Sequence, residues 1–417
     1  MRLTGLFALI ALTLPAIADD RPWPPLPTEN GSAELPAQEW AFQEGPRTFT
    51  AYVYYPGQAL ANVNGQTGLF LSLHNWGGTN AVGTADPQFL ADRYNVVAIC
   101  VDYLQSGKYD EPSMPPYDFG YLQALDALRA LYWVHNGLAG GGRAFHGGRI
   151  YATGGSGGGN VTLMANKLAP RTFAAIIDIC GMAKLSDDIA FGLEGRSRLH
   201  AGYSQDPDSP EYLSPDAQAL RDNGNPEHLK AMADYGQETK IFVVHGAADD
   251  VCPTADKREV VRNMAAAGMP VTALFLEERH LDGAVFTGTG HSLGDRTKVV
   301  QHMADPQLLP DHPDAAVRKG ASDFERKDIV SYATPNGRWE ISYEAGFPVG
   351  RFVPGVGTAS GWHGCKTLEQ RPQARRWLYP KKCCGSSVLD CGCDSWGTAF
   401  HDASRHPLRM KMALHFE

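Results

Sequence analysis

Six short runs of almost unbroken Val, Ile, Leu and Phe recur along the chain, at residues 69–74, 96–101, 150–153, 174–179, 241–245 and 271–276. Each is followed by a glycine or polar loop, and most loops lead into a segment of helical periodicity. A parallel strand needs such continuous apolar content because helices cover both of its faces. Between the runs, residues 119–135 carry Leu122, Leu125 and Leu128 on one side, residues 161–168 are stopped by Pro170, and residues 255–267 form a third helical pattern. The β-branched and aromatic stretch 48–55 adds an earlier strand. This alternation predicts a mostly parallel, wound α/β sheet with helices on both faces, whose chemistry lies in loops beyond the strand C-terminal ends.

Composition narrows the function classes. With 43% hydrophobic and 20% charged residues, the chain is neither a disordered scaffold, a collagen-like rod nor a polytopic membrane protein. A net charge of -9 and the lack of a dense Lys/Arg block argue against nucleic acid as a partner.

The N-terminus reads Met1, Arg2, an apolar run over 3–14, then Pro15-Ala16-Ile17-Ala18. Residues 1–18 are expected to be a signal peptide cleaved near Ala18, which makes the product secreted or periplasmic. The run is too short for a bilayer core of ~30 Å, and no later stretch reaches ~18 apolar residues, so stable membrane insertion is not expected. Residues 19–46 are proline-rich and linker-like. The α/β domain is expected over 47–313, with a lid-like insertion at 183–237, and a Cys-rich, β-containing region over 314–417 with short strands near 339–343 and 350–353.

Export permits disulfides. Of the eight cysteines, Cys365, Cys383, Cys384, Cys391 and Cys393 crowd into the tail, as an adjacent pair and a Cys-Gly-Cys rather than the two-residue spacers of paired zinc sites. The tail is therefore read as disulfide-stapled. Five cysteines cannot all pair among themselves; Cys100 and Cys180 fall in central strands as buried thiols, which leaves Cys252 as the partner of one tail cysteine.

Residues Gly154-Gly155-Ser156-Gly157-Gly158 form a Gly-x-Ser-x-Gly that follows a strand and opens a helix. That is the setting of a nucleophile elbow, where small neighbours permit the sharp turn that exposes a serine Oγ. The competing reading is a glycine loop cradling phosphate, but neither a Walker lysine nor the spacing and acidic partner of a dinucleotide site accompanies it. A base and an orienting carboxylate should follow in the order Ser, Asp, His. Asp249 and Asp250 lie just past the strand that ends in His245; His291 lies in the Thr287-Gly288-Thr289-Gly290 loop beyond the next strand, with His280 as a rival nearer the strand end. Singly, Asp249 is also a candidate helix cap and His291 an ordinary loop residue.

Gly154 to Gly158, His245-Gly246-Ala247-Ala248-Asp249-Asp250-Val251-Cys252-Pro253 and Gly290-His291-Ser292 together resemble the α/β-hydrolase superfamily, in its prolyl-oligopeptidase-like and dienelactone-hydrolase-like esterase branch. The resemblance covers about 48–303. It implies a catalytic triad of Ser156, Asp249 and His291, with Asp249 selected over Asp250 and His291 over His280. The family's His-Gly turn is matched by His74-Asn75-Trp76-Gly77-Gly78, with Asn75 where glycine is usual. Backbone N–H groups of Gly157 and Trp76 are the implied oxyanion donors, and Asn75, Trp76 and Gly155 the substrate-pocket candidates; His74 and His245 are expected to shape turns. The implied reaction is acyl transfer on a small-molecule or polymer-derived ester, with no metal or organic cofactor required. Family oligopeptidases carry a large gating domain before the first strand, and the short segment here disfavours that type. A serine peptidase and a non-catalytic binding protein on a hydrolase fold are the alternatives.

Overall fold

The computed structural model describes residues 23–107 and 114–355. The expected signal peptide, Cys365, Cys383, Cys384, Cys391 and Cys393 lie outside the described residues.

Eight strands form the main sheet: β1 (Gly31–Pro36), β2 (Thr48–Tyr54), β3 (Gly68–Leu73), β4 (Val96–Asp102), β5 (Ile150–Gly155), β6 (Ala175–Ile179), β7 (Lys240–Gly246) and β8 (Val271–Leu276). Their spatial order is β1-β2-β4-β3-β5-β6-β7-β8. β2 pairs antiparallel with β1 and β4, and every pairing from β4 through β8 is parallel. Order and direction together are those of the α/β-hydrolase fold, and the helices between the strands cover both faces.

Those helices are α1 (Pro87–Tyr94), α2 (Tyr121–Gly140), α3 (Gly157–Leu168), α4 (Asp187–Phe191), α5 (Pro215–Leu220), α6 (Pro226–Asp234), α7 (Thr254–Ala266) and α8 (Arg296–Leu308). Alternate side chains of each strand feed two separate cores, as the pleat requires. Leu69, Leu71, Leu73, Ile150 and Ala152 pack with α2, α3 and α7 on one face. Phe70, Tyr151, Ile177 and Val244 pack with α1 and α8 on the other. Arg47 crosses from the approach to β2 to clasp Asp126 of α2 through two bonds of 2.7 and 2.8 Å, both side chains buried.

Three expectations need correction. The proline-rich segment is not all linker: Gly31–Pro36 is the sheet's first strand, in register from Gly31 opposite Val53 to Pro36 opposite Thr48. An edge strand tolerates this composition because Pro36 sits at its end and only one side of the ladder must be filled. Second, α3 begins at Gly157 rather than Val161, because the turn after Ser156 holds three consecutive glycines in helical geometry despite their poor propensity.

Third, the boundary expected at 313/314 falls inside one compact unit that takes in all the described residues. A short helix, α9 (Asp323–Arg326), leads into a three-stranded antiparallel sheet of β9 (Ile329–Thr334), β10 (Gly337–Ser342) and β11 (Val349–Pro354). Buried bonds fix this part to the α/β body. Arg171 Nε donates to Asp323 at 2.8 Å, the Tyr343 hydroxyl donates to the Leu168 carbonyl at 3.0 Å, and the Tyr332 hydroxyl donates to the Lys167 carbonyl. Among the described residues no helix is long and apolar enough to cross a membrane.

Candidate active site

Ser156 joins β5 to α3 with φ 56° and ψ -118°. A non-glycine residue reaches that region only when its surroundings hold it there, and such strain marks functional turns. Here its N–H donates to the Ile179 carbonyl at 2.9 Å, and its own carbonyl accepts from Asn160 N–H at 3.1 Å. Gly158 is required by crowding: a Cβ there would run into the carbonyls of Leu73 and His74. The elbow thus seats directly against the loop after β3.

Two further strand ends meet the serine. His291 Nε2 lies 2.8 Å from Ser156 Oγ, and His291 Nδ1 lies 2.9 Å from Asp249 Oδ2. The other Asp249 oxygen accepts the N–H groups of Val251 and Cys252 at 3.0 and 2.9 Å. Burial pushes the Asp249 carboxyl up, but the His291 contact, the nearby His245 and the Cys252 N–H outweigh it, so the group sits below its ordinary value. With Asp249 ionised, the His291 proton belongs on Nδ1, which leaves Nε2 as an acceptor for the serine hydroxyl proton.

The rival residues are turned elsewhere. Asp250 is exposed and pairs with Arg198 at 2.8 Å. His280 accepts the Glu277 N–H at 2.9 Å on Nδ1. His245 is fully buried; its Nε2 donates to the Cys252 carbonyl at 2.8 Å and lies 3.4 Å from Asp249, so it braces the carboxylate loop. Burial lowers the His245 imidazole to about 4. His74 is likewise lowered to about 4 by burial, stacked on Tyr103 with ring centres 4.0 Å apart and bonded to the Asn75 carbonyl at 2.7 Å. Both imidazoles are neutral turn-formers.

A Cβ on Gly157 would come within 2.7 Å of Trp76 N, so the backbones of these two residues lie side by side next to the serine. The Trp76 indole stacks on Tyr117 with centroids 3.7 Å apart and planes 6° from parallel. Asn75 is half-buried, and its Oδ1 has no hydrogen-bond partner among the described residues. Gly155, by contrast, is buried: the Gly83 carbonyl and Arg296 Nε occupy the space where a side chain would go, so it does not line an open pocket.

The insertion at 183–237 packs beside this site. Leu185, Ile189, Ala190, Ala201 and Leu213 cluster with Tyr117, Phe119, Met182 and Cys252, against Trp76 and Val251. The Ser197 hydroxyl donates to the Val251 carbonyl at 2.7 Å, tying the insertion to the carboxylate loop. Within that cluster Cys252 is a free, buried thiol, and the tail cysteines expected to pair with it lie outside the described residues. Its apolar surroundings leave the thiol little access to any partner.

One neighbour escaped the sequence reading. Cys180, the residue after β6, has its sulfur 4.0 Å from the Gly290 carbonyl, and its Sγ, an Asp249 oxygen and a His291 nitrogen all lie within 4.8 Å of one another. Burial pushes this thiol up to about 12. The signal was available, because Cys180 follows an apolar run and so occupies a strand end on the same edge as Ser156 and Asp249.

Comparison with known proteins gives one family. A family described as "Protein of unknown function (DUF2920)" matches residues 106–337. No curated protein matches the chain. Among solved structures, an acylaminoacyl peptidase of Pyrococcus horikoshii is similar at a TM-score of 0.46 and 13% identity, over 70% of this chain and 43% of that chain. A puromycin-hydrolyzing peptidase of Mycobacterium tuberculosis is similar at a TM-score of 0.44 and 17% identity, over 70% and 42%. Esterase 2 of Thermogutta terrifontis, phosphonylated by cyclosarin, gives a TM-score of 0.40 and 16% identity, over 61% and 85%. The chain spans less than half the length of either peptidase. With more than half of its residues inside the family match, the chain belongs to the family described as Protein of unknown function (DUF2920).

Proposed function

We propose that this chain is an exported serine hydrolase that cleaves carboxylic esters through an acyl-enzyme on Ser156. The observation that carries the reading is the unbroken chain of contacts from Ser156 Oγ to His291 Nε2 at 2.8 Å and from His291 Nδ1 to Asp249 at 2.9 Å. In the proposed reaction His291 takes the serine proton as Oγ attacks the ester carbonyl, and returns it to the leaving alcohol. Water then repeats the sequence and releases the acid. Asp249 holds the imidazole tautomer and stabilises the imidazolium. The N–H groups of Gly157 and Trp76 would receive the oxyanion, each contributing on the order of 3 kcal/mol.

The leader at 1–18 supports export, which N-terminal sequencing of the protein from its native host would check at Ala18.

The test is activity-based labelling with a fluorophosphonate, followed by turnover of chromogenic acyl esters and dipeptide amides by the full chain. Labelling lost in Ser156→Ala and ester turnover above amide turnover are expected. Preferred amide turnover would install the peptidase reading, and neither labelling nor turnover the non-catalytic one.

A further inference from the structure

Cys180 brings to the site a soft ligand that ester hydrolysis does not use. Its Sγ, Asp249 and His291 supply one sulfur, one oxygen and one nitrogen within 4.8 Å of one another, the only such group of three metal-ligating side chains among the described residues. We propose that Cys180, Asp249 and His291 form an inhibitory site for a thiophilic divalent cation, zinc in the first instance, which shuts the enzyme off by seizing its base.

The geometry is close to what the ion requires. Zinc binds sulfur at about 2.3 Å and nitrogen or oxygen at about 2.0–2.2 Å, so tetrahedral ligands stand roughly 3.4–3.6 Å apart. The His291–Asp249 contact, now 2.9 Å, must open slightly, and the sulfur must draw in from no farther than 4.8 Å. The site therefore requires rotation of the Cys180 and His291 side chains. Cys180 is held in place by its own backbone, whose N–H donates to the Val244 carbonyl at 2.9 Å. The His291 side chain is 22% exposed, which gives the ion a way in and leaves a fourth position for water. A mixed sulfur and imidazole set selects zinc or cadmium over magnesium or calcium, which prefer all-oxygen shells.

Chemically, the metal–sulfur bond forms as the Cys180 thiol proton leaves to solvent. On His291 the metal takes Nδ1, and the proton formerly there appears on Nε2, so the imidazole remains neutral. Nε2 then points an N–H at Ser156 and has no lone pair to accept the serine proton. Asp249 becomes a metal ligand and no longer orients the ring. No redox change is involved, and a chelator should reverse the block.

The inhibitory consequence rests on the serine-hydrolase reading, whereas the binding site does not, and the experiment separates them. Cadmium is titrated into the full chain, reading the ultraviolet cadmium–thiolate charge-transfer absorption, beside Cys180→Ser, His291→Ala and Asp249→Asn. The tail cysteines contribute equally to every spectrum, so the difference from wild type isolates Cys180. We expect a difference band that Cys180→Ser abolishes, with a binding midpoint weakened about tenfold or more in each of the other two variants. In parallel, zinc should inhibit ester turnover reversibly, and the inhibition midpoint should rise about tenfold or more in Cys180→Ser relative to that variant's own metal-free rate.

A spectrum identical in wild type and Cys180→Ser would overturn the site, as would a Cys180 band indifferent to both His291→Ala and Asp249→Asn. Binding of the expected pattern in a protein that hydrolyses no ester would keep the metal site and sink the functional reading instead. Should Cys180→Ser fail to fold, Cys180→Ala answers the same question.

Discussion

Lys257 of α7 and Asp178 of β6 form an ion pair in which neither side chain is exposed at all. The other Asp178 oxygen accepts the Gly181 N–H at 2.9 Å, so this one carboxylate joins the helix after the Asp249 loop to the turn that carries Cys180. Removing one partner of such a pair strands a buried charge and costs about 3–5 kcal/mol. Lys257→Met should lower unfolding free energy by that amount in urea titrations, and adding Asp178→Asn, which keeps the Gly181 bond, should restore part of it. A single variant as stable as wild type would show that the pair has no such role.

The two adjacent carboxylates at the end of β7 offer an internal control. Asp249 is bonded to His291 and buried, whereas Asp250 is two-thirds exposed and faces Arg198. Asp249→Asn should reduce kcat on a soluble ester by about 10⁴-fold, because an amide N–H aimed at Nδ1 favours the wrong imidazole tautomer. Asp250→Asn should change kcat by less than about twofold, an exposed ion pair being worth under ~1 kcal/mol. Equal losses in the two variants would reject the assignment of roles.

How far the sequence could be read follows from what each element needs from its neighbours. The parallel strands were legible because burial on both faces demands continuous apolar runs; β4, buried from Val96 through Val101, starts where its run predicts. β1 was not, since Gly31–Pro36 owes its strand to pairing with β2 and has no strong propensity of its own. The turn at Ser156 was legible from its glycines, but α3 starts earlier than propensity allows because tertiary contacts override it. Cys180 illustrates the remaining gap. A residue's place at a strand end can be read, but which neighbouring loop folds over it depends on strand order, and nothing local to Cys180 announces His291.

The contact between Gly157 and Trp76 provides a steric test of the oxyanion site. A methyl group on Gly157 would stand 2.7 Å from Trp76 N, closer than real Cβ atoms approach, and so must push the two backbones apart. Displacing a donor from a developing oxyanion costs on the order of 10²-fold in kcat. Gly157→Ala should therefore lose kcat on that scale with KM little changed, and fluorophosphonate labelling should slow in step. A variant with normal kcat and an intact fold would remove Trp76 and Gly157 from the proposed mechanism.

Acid should destabilise this fold before its carboxylates protonate. Burial lowers His74 to about 4, His245 to about 4 and His228 to about 3, the last helped by Lys167. In the unfolded chain these imidazoles titrate near ~6.5. Each folded value is thus depressed, so below about pH 6.5 the unfolded state binds more protons than the folded state. Stability is fully present above that point and falls as pH drops toward 4. The slope is about 1.4 kcal/mol per pH unit for each imidazole, so the three together should remove on the order of 3 kcal/mol between about pH 6 and pH 5. Urea midpoints measured across this range should fall accordingly. His228→Gln, which can still donate to the Ala333 carbonyl that His228 Nε2 contacts at 2.7 Å, should flatten the dependence by about a third. A midpoint that stays constant from pH 7 to 5, or a slope untouched by His228→Gln, would show that these imidazoles are not held neutral by the fold.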